Sequence, residues 1–424
     1  MTTPENTLRV GISDPHPSFR GALANRDFSF LFIGQLGSEI GNGAVQLALP
    51  WLVLKLTDSA FQLGFAYFFQ FSPMLLFGIL GGVFVDRWDR RLTIVIVDLV
   101  RGIAFMSVAV IYYLGSLTVE HLYAVIFLES SLANFFNPAR AALMPNLVDP
   151  EHLRSANSLM EVARNVGFLI APPVGAAVAE ILGPSSIMLI DGVTFLLSAV
   201  TVFLIKWRQP ARQPKQVDGK IHALRIVIDE TKAGLVVIMR SRLLQVSVLL
   251  GFVLNLVVAP IQVLIPLFVR DIKHAAVGYF GVMVAGLLVG LLVGSLTAPQ
   301  TARRIGLGPM TIAAVSLLGI VISIAAWPPG LWPPVVAMFI AGTAVGSLNV
   351  AQITLIQGST SDDERGRVSA TYYTATLGVR PVGFLAMGAL ASAVDIRFLF
   401  VTLGVMALLV GIVLSQIREV REHR

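Results

Sequence analysis

Residues Gly82–Arg91 read GVFVDRWDRR, so five charged side chains fall within ten residues. The stretches on either side, residues 61–85 and 92–114, consist mostly of apolar residues. A run of about 20 apolar residues is long enough to cross the hydrocarbon core of a bilayer as a helix. The stretch Gly82–Arg91 is therefore predicted to be a short charged turn between two membrane-spanning helices.

The same alternation of long apolar runs with short polar turns extends over most of the 424 residues. Hydrophobic residues make up 55% of the chain and charged residues 13%, and the mean hydropathy is +0.79. Soluble domains carry about 25% charged residues, so we predict an all-α membrane protein with twelve transmembrane helices. The predicted spans 1 to 12 are residues 28–54, 61–85, 92–114, 119–146, 154–181, 185–206, 244–269, 276–300, 308–327, 332–357, 367–393 and 396–416.

Lysine and arginine are divided unequally between alternate loops. Of the 31 Lys and Arg residues, 23 fall in the terminal segments and in the loops on their side of the membrane, four fall in loops on the other side, and four lie within spans. Cytoplasmic loops carry an excess of positive charge. The termini, residues 1–27 and 417–424, are therefore predicted to be cytoplasmic.

The two halves of the chain share a plan. A shift of 212 residues aligns three pairs of identical residues, which are Asn137 with Asn349, Ala139 with Ala351, and Leu143 with Leu355. Two homologous six-helix bundles with a site between them are a recurrent transporter design. We therefore predict pseudo-symmetric bundles at residues 28–206 and 244–416, joined by a cytoplasmic linker at residues 207–243.

The predicted linker contains an amphipathic pattern. Leu224, Ile228 and Leu235 share one face of a helical wheel, and charged residues occupy other positions. This pattern predicts a helix that lies on the cytoplasmic surface of the membrane.

Several classes of protein are disfavoured by the sequence. The chain has no cysteine, and its six histidines show no metal-ligand spacing, so neither a metal site nor a cofactor is predicted. It has no phosphate-binding glycine loop, nucleophile elbow or zinc helix motif, and we predict that it is not an enzyme. The net charge of +6 resides in short loops, so it is interpreted as a topology signal and not as a nucleic-acid surface.

The turn at Gly82–Arg91 resembles the signature loop of the major facilitator superfamily, with Asp89 at a position where the family prefers glycine. The resemblance implies a cytoplasmic gate in which Asp86 faces the positive N-terminal end of span 11. The alternative is a simple basic loop that sets the topology. The predicted gate residues are Gly82, Asp86, Arg87, Arg90, Arg91, Asp98, Arg101 and Arg367.

Span 5 carries a second resemblance. The stretch Gly167–Ala176, GFLIAPPVGA, is similar to the proline-glycine motif of superfamily antiporters, with two glycines replaced by alanine. Pro172 and Pro173 remove two amide donors and bend the helix, and Gly167 and Gly175 allow close packing. The alternative is an ordinary proline kink.

Five further features together are similar to the twelve-helix exporter branch that includes macrolide-efflux proteins and the enterobactin exporter: Asn25–Phe28, Pro50–Val53, Asn137–Arg140, Asp191 and Glu364–Arg367. This likeness covers nearly the whole chain. The resemblance implies a monomeric transporter in the bacterial inner membrane, which exports small amphiphilic compounds such as drugs or siderophores in exchange for protons. The alternatives are an importer or a lipid-moving protein, and a non-transporting membrane sensor.

Polar residues inside predicted spans 1, 4, 7 and 10 predict the transport site, because the superfamily fold places these spans around its cavity. Burial of a carboxyl group in a partly dehydrated cavity favours its protonated form. Glu39 and then Glu129 are therefore the predicted proton carriers, and a structural hydrogen bond is the alternative for each. The predicted cavity residues are Gln35, Asn42, Gln46, Asn137, Arg140, Asn255, Gln262 and Asn349. Asp98 with Arg101, and Glu161 with Arg164, are spaced either for pairs within one helix or for pairing with a neighbouring helix.

Overall fold

The computed structural model describes residues 19–85, 88–207 and 232–421, and this part of the chain is helical and contains no strand. The helices of the N-terminal half are α1 (Phe19–Ala24), α2 (Arg26–Thr57), α3 (Ala60–Val85), α4 (Arg90–Tyr113), α5 (Val119–Leu143), α6 (Leu153–Asn165), α7 (Ala171–Leu182) and α8 (Pro184–Phe203). Residues 232–240 are also helical and are labelled α9. The helices that follow are α10 (Arg242–Val258), α11 (Ile261–Leu267), α12 (Val277–Ile305), α13 (Leu307–Ala325), α14 (Trp332–Gly358), α15 (Asp362–Leu377), α16 (Arg380–Ala391), α17 (Ile396–Gln416) and α18 (Arg418–Arg421).

Ten helical segments in the described ranges are long and apolar enough to cross a membrane. Helices α2 and α5, which correspond to predicted spans 1 and 4, are 32 and 25 residues long but are not among the ten. Both carry polar side chains along their length, which lower the mean hydropathy. The count of twelve spans therefore stays a prediction, and it depends on the two helices in which polar residues interrupt the apolar run.

The ends of two helices are determined by local capping. Asn25 precedes α2, and its side-chain oxygen accepts hydrogen bonds from the amides of Asp27 and Phe28 at 3.0 and 3.1 Å. Asp89 precedes α4 and accepts from the Leu92 amide at 2.7 Å. Carboxylate and amide side chains at this position satisfy amide groups that the helix itself leaves unpaired. The departure of Asp89 from the family signature thus has a structural role as the cap of α4.

The arginines of the signature turn contact the ends of neighbouring helices. Arg90 Nη1 donates a hydrogen bond to the carbonyl of Ala142 at 2.8 Å, and Arg91 Nε donates to that of Val202 at 3.2 Å. The last carbonyls of a helix lack partners within the helix, so cations bind well there. Asp86 and Arg87 lie outside the described residues, and the contacts of Gly82 are not described either. The predicted gate contact of Asp86 therefore stays a prediction.

The described end of the linker packs against the inner part of predicted span 11. A Cβ atom at Gly234 in α9 would lie 2.7 Å from the Arg367 carbonyl oxygen and 2.3 Å from Thr371 Oγ1. The next residue, Leu235, has an exposed side chain. Leu224 and Ile228 lie outside the described residues, so the amphipathic surface helix that they predict is untested.

Residues related by the shift of 212 have matching environments. Ala139 and Ala351 are fully buried, Leu143 and Leu355 are buried, and Asn137 and Asn349 are exposed. The long helices of predicted spans 5 and 11 are also interrupted at corresponding places. A π-helical turn occupies Val166–Ile170, and α15 and α16 are separated at residues 378–379.

The most extensive contacts between the halves are those of α3 with α16 and of α7 with α12. Gly64 and Gly388 allow the first pair to approach closely, because a Cβ at Gly64 would lie 2.8 Å from the Gly388 Cα. Gly281 packs on Ala176 in the second pair. Arg270 adds an ion pair at 2.9 Å with Asp58, the residue that follows α2. These contacts all lie towards the predicted outer end of the bundles.

Candidate functional site

A cavity of about 510 Å³ lies within the N-terminal half, between α2, α4, α5, α6 and α8. Its lining residues are Gln35, Ser38, Glu39, Asn42, Arg101, Phe136, Asn137, Arg140, Ala141, Arg164 and Phe195. The polar stripe of α2 and that of α5 therefore face one space, as the sequence predicted for spans 1 and 4.

Glu39 and Arg140 form an ion pair across this cavity. Arg140 Nη1 lies 2.9 Å from Glu39 Oε1 and also donates to Gln35 Oε1 at 3.1 Å. Both side chains are about one-fifth exposed, so solvent that enters the cavity can reach them. The predicted proton carrier is thus held by a cation from another helix and remains accessible.

A chain of hydrogen bonds leads from this ion pair to a buried acid. Because Gln35 Oε1 accepts from Arg140, its Nε2 is directed away and donates to Ser198 Oγ at 3.3 Å. Ser198 Oγ in turn donates to Asp98 Oδ2 at 2.6 Å. Asp98 is completely buried, and its Oδ1 has no hydrogen-bond partner within the described residues. The chain therefore couples the position of Arg140 to a fully buried carboxyl group.

Arg101 forms an ion pair with Glu129 on the neighbouring α5. Of the two arrangements that the spacing of Asp98 and Arg101 allowed, the structure has the one between helices. The guanidinium also lies 5.3 Å from the ring centre of Phe136 and 4.8 Å from that of Phe195, within range for cation–π attraction. Although Arg101 was predicted with the gate, its side chain lines the cavity.

A second cavity of about 190 Å³ adjoins the first at Asn42. Gln46 and Glu129 line it, as does Gln70 from α3. Gln46 lies one turn beyond Asn42 on α2, so the polar stripe continues along the helix from one space into the other. The two cavities together extend the polar surface of the N-terminal half.

Asp191 is a further buried acid beside this cluster. Its side chain has no exposed surface, and it packs against α2 where Gly41 leaves room, since a Cβ there would lie 2.1 Å from Asp191 Oδ1. Thr194 donates to Oδ1 at 3.2 Å, whereas Oδ2 has no partner in the described part of the chain. Neither Asp98 nor Asp191 is in an ion pair among the described residues.

The span 5 motif lies directly behind Glu39. A Cβ at Gly167 would lie 2.4 Å from the Glu39 carbonyl oxygen, and one at Gly175 would lie 2.5 Å from the Ala44 Cα. Pro172 and Pro173 occupy the first turn of α7, just after the π-helical turn. The motif thus packs predicted span 5 against the helix that carries the proton-carrier candidate.

The predicted polar residues of the C-terminal half occupy different surroundings. Asn255 Oδ1 accepts a hydrogen bond of 2.6 Å from Arg380 Nε. Gln262 and Asn349 are exposed and line neither of the two cavities. Among the described residues, no group of three or more His, Cys, Asp or Glu side chains could hold a metal ion.

Several cavity residues were not predicted to line a site. Arg101 and Arg164 were recognised as charges within spans, but helical spacing alone could not direct their side chains inward. Gln70, an amide within an aromatic-rich span, is a signal that was available in the sequence. The remaining lining residues that sequence analysis did not assign are Ser38, Phe136, Ala141 and Phe195 in the first cavity, and Val45, Leu49, Phe105 and Ile126 in the second.

Comparison with known proteins identifies the family. Residues 31–379 match the model of the Major Facilitator Superfamily, and a second match covers residues 261–424. The chain is 24% identical over 401 residues to macrolide efflux protein A of Streptococcus pyogenes, across 93% of this chain and 96% of that protein. It is also 24% identical to the multidrug efflux pump Tap of Mycolicibacterium fortuitum, across 92% of this chain and 96% of the pump.

Solved structures have the same fold. The nucleoside transporter NupG superposes with a TM-score of 0.72 at 13% identity, across 94% of this chain and all of that chain (100%). A bacterial homologue of the iron transporter ferroportin, in its inward-facing state, superposes with a TM-score of 0.69 at 17% identity, across 92% of this chain and 99% of that chain. With the family match over most of its length and this shared helical fold, the chain belongs to the Major Facilitator Superfamily of membrane transporters.

Proposed function

We propose that this protein is a proton-coupled exporter of small amphiphilic compounds, such as drugs or siderophores, in the bacterial inner membrane. The observation that carries the proposal is the Glu39–Arg140 ion pair at 2.9 Å on the wall of the cavity of about 510 Å³. The names of two similar proteins, a macrolide efflux protein and a multidrug efflux pump, support the export of drugs. The protein acts as a monomer with twelve spans and two bundles, residues 28–206 and 244–416, that rock about the site.

The ion pair provides a means of coupling. When Glu39 is ionised, it holds Arg140 and, through Gln35, the hydrogen-bond chain to Asp98. A proton on Glu39 removes the charge that holds Arg140, so the guanidinium is released to take other acceptors. The shape and charge of the cavity wall then differ between the two proton-loading states. A substrate that binds one of these states more tightly than the other is therefore exchanged for protons across the membrane.

The close contacts between the halves are consistent with an inward-facing state. Gly64–Gly388, Ala176–Gly281 and the Asp58–Arg270 ion pair all lie towards the predicted outer end. A bundle that is closed at its outer end offers its cavity to the cytoplasm, from which an exporter takes its substrate. When the bundles rock about the site, these contacts separate and the outer side opens.

The test is flux into proteoliposomes under an imposed pH gradient, with macrolides, lipophilic cations and siderophores as substrates. We expect gradient-driven flux from the unaltered protein and none from Glu39→Gln, because the glutamine amide cannot bind or release the proton. Substrate binding at equilibrium should survive in Glu39→Gln.

Glu120→Gln is the matched control, since Glu120 is exposed in the first turn of α5, outside the cavity. It should leave the flux unchanged. Normal gradient-driven flux in Glu39→Gln would remove Glu39 from the mechanism. A pH gradient without effect on the flux of any compound in the unaltered protein would overturn proton coupling itself.

A further inference from the structure

Arg380 is a cation at mid-membrane depth in the C-terminal half. It occupies the central position of predicted span 11, residues 367–393, and begins α16 where that span is interrupted. A charge at the centre of a bilayer costs roughly 2.5–3.5 kcal/mol on insertion scales. An arginine at this depth therefore requires a partner or a function.

The other three arginines within predicted spans each have a carboxylate. Arg101 pairs with Glu129, Arg140 with Glu39, and Arg164 with Glu161. No carboxylate contacts Arg380 within residues 19–85, 88–207 and 232–421, where its one hydrogen bond is from Nε to Asn255 Oδ1. Its two Nη groups have no acceptor there, and they are not sealed from solvent. The guanidinium thus presents two Nη groups that have no acceptor among these residues and that solvent can reach.

Asn255 orients this guanidinium but does not neutralise it. Its Nδ2 donates to the Gly251 carbonyl at 2.8 Å, one turn earlier on α10, so its Oδ1 is directed at Arg380. A neutral amide accepts one hydrogen bond from the arginine and leaves its positive charge in place. The arrangement holds the fork of Nη donors in one direction, which is the geometry that bidentate recognition of an anion requires.

The helix that Arg380 begins is fixed by a cluster of aromatic side chains. One turn further along α16, Phe384 stacks on Tyr67 and lies against Phe71, with ring centres 5.0 Å apart in both pairs. These aromatic side chains come from α3 of the other half. Phe384 has no exposed surface and Tyr67 is 7% exposed, so this cluster is a packed contact that holds the start of α16, and with it Arg380, in place.

We propose that Arg380, oriented by Asn255, binds the anionic group of an amphiphilic ligand: a carboxylate, sulfonate or phosphate. The site extends the substrate class of the proposed exporter to amphiphiles that carry an acidic group, and to that extent it rests on the proposed function. Its place in the molecule is distinct from that of Glu39 and Arg140, whose charges neutralise each other.

The test compares two fluorescent probes that share a naphthylamine body. One is 1-anilinonaphthalene-8-sulfonate, and the other is N-phenyl-1-naphthylamine, which lacks the sulfonate. The measurement is the Kd of each for purified protein in a neutral detergent, with the probe's partition into empty micelles subtracted. Arg380→Gln should weaken binding of the sulfonate at least about tenfold, as expected for loss of charge-assisted hydrogen bonds, and leave the neutral probe unchanged.

A second variant avoids the risk that Arg380→Gln does not fold. Asn255→Asp retains Arg380 and supplies the missing counter-charge from within the protein. It should abolish the preference for the sulfonate while preserving the thermal stability. Arg304→Gln is the matched control, because it removes an exposed positive charge from the end of α12 and should leave both Kd values unchanged.

Equal weakening of both probes, or unchanged sulfonate binding in Asn255→Asp, would overturn the proposal. Neither measurement uses a pH gradient or a flux, so a failure here is distinguishable from a failure of proton-coupled export. A separate arm identifies the source of the anion. If phosphatidylglycerol raises the Tm of the unaltered protein more than that of Asn255→Asp, the anion is a lipid headgroup, and an equal shift leaves the soluble amphiphile as the ligand.

Discussion

Predicted spans 1 and 5 in the first half correspond to spans 7 and 11 in the second. The first pair is joined by a close backbone contact, and the second by a hydrogen bond between side chains. Gly43 lies 212 residues before Asn255, and the Cβ of any larger residue there would lie 1.9 Å from the Gly167 carbonyl oxygen. Asn255 instead holds the charged side chain of Arg380 at 2.6 Å. One scaffold therefore has a close backbone contact in the first half and a polar group at the same place in the second.

The two halves also differ in how their charges are compensated. The first half collects four acids, Glu39, Asp98, Glu129 and Asp191, with two arginines that pair with two of them. The second half presents Arg380 without a carboxylate contact among the described residues. A cluster with spare acids suits the storage and release of protons, whereas an uncompensated cation suits an anion. Under the two proposals above, the first half carries proton coupling and the second half binds the anionic group.

The largest expected effect comes from breaking a compensated pair. Arg101→Leu leaves Glu129 as an unpaired charge and should lower the free energy of unfolding by about 3–5 kcal/mol. Arg380→Leu removes a charge that has no carboxylate and should cost less, about 1–2 kcal/mol, through loss of the hydrogen bond to Asn255. Thermal unfolding in detergent measures both. The double variant Arg101→Leu with Glu129→Leu should recover much of the loss, and similar losses in the two single variants would contradict the contrast between the halves.

A reciprocal exchange tests the corresponding positions directly. Gly43→Asn forces a side chain into the backbone contact with Gly167 and should cost about 3 kcal/mol or prevent folding. Asn255→Gly removes one hydrogen bond and places a glycine within a helix, for a cost of roughly 1–2 kcal/mol. Expression level, monodispersity and Tm of the two variants measure the asymmetry. If Gly43→Asn were as mild as Asn255→Gly, the close contact would not be required.

The smallest effect is expected at the starts of two corresponding helices. Asp89 caps α4, whereas α13 begins after Gly306, which has no side chain to serve as a cap and adopts a φ of 94°. Asp89→Ala should therefore cost about 1 kcal/mol through loss of the cap, seen as a lower Tm with unchanged ligand binding. Asp89→Asn retains an acceptor at this position and serves as the control. If Asp89→Asn lowered the Tm as much as Asp89→Ala does, the negative charge of Asp89 would stabilise the helix, and not its role as a cap.

The membrane fold and the location of the cavity could be predicted from local patterns. Apolar runs of bilayer length, the signature turn and the stripe of Gln35, Glu39, Asn42 and Gln46 are all properties of neighbouring residues in the sequence. Gln262 and Asn349 satisfied the same criterion, yet they line neither cavity. Polarity within a span indicates that a side chain avoids lipid, but several surfaces and cavities can satisfy that requirement.

The sequence by itself determined that this chain is a helical membrane protein of two related halves, with acids and arginines inside its spans. Only the tertiary structure decided the partners of these charges: Arg101 with Glu129, Arg140 with Glu39, and Arg380 with Asn255. Spacing along one helix specifies which residues share a face, because the helix repeat is local. Which face meets which neighbour depends on how the helices rotate and pack, and glycines such as Gly43 and Gly167 determine how closely they approach.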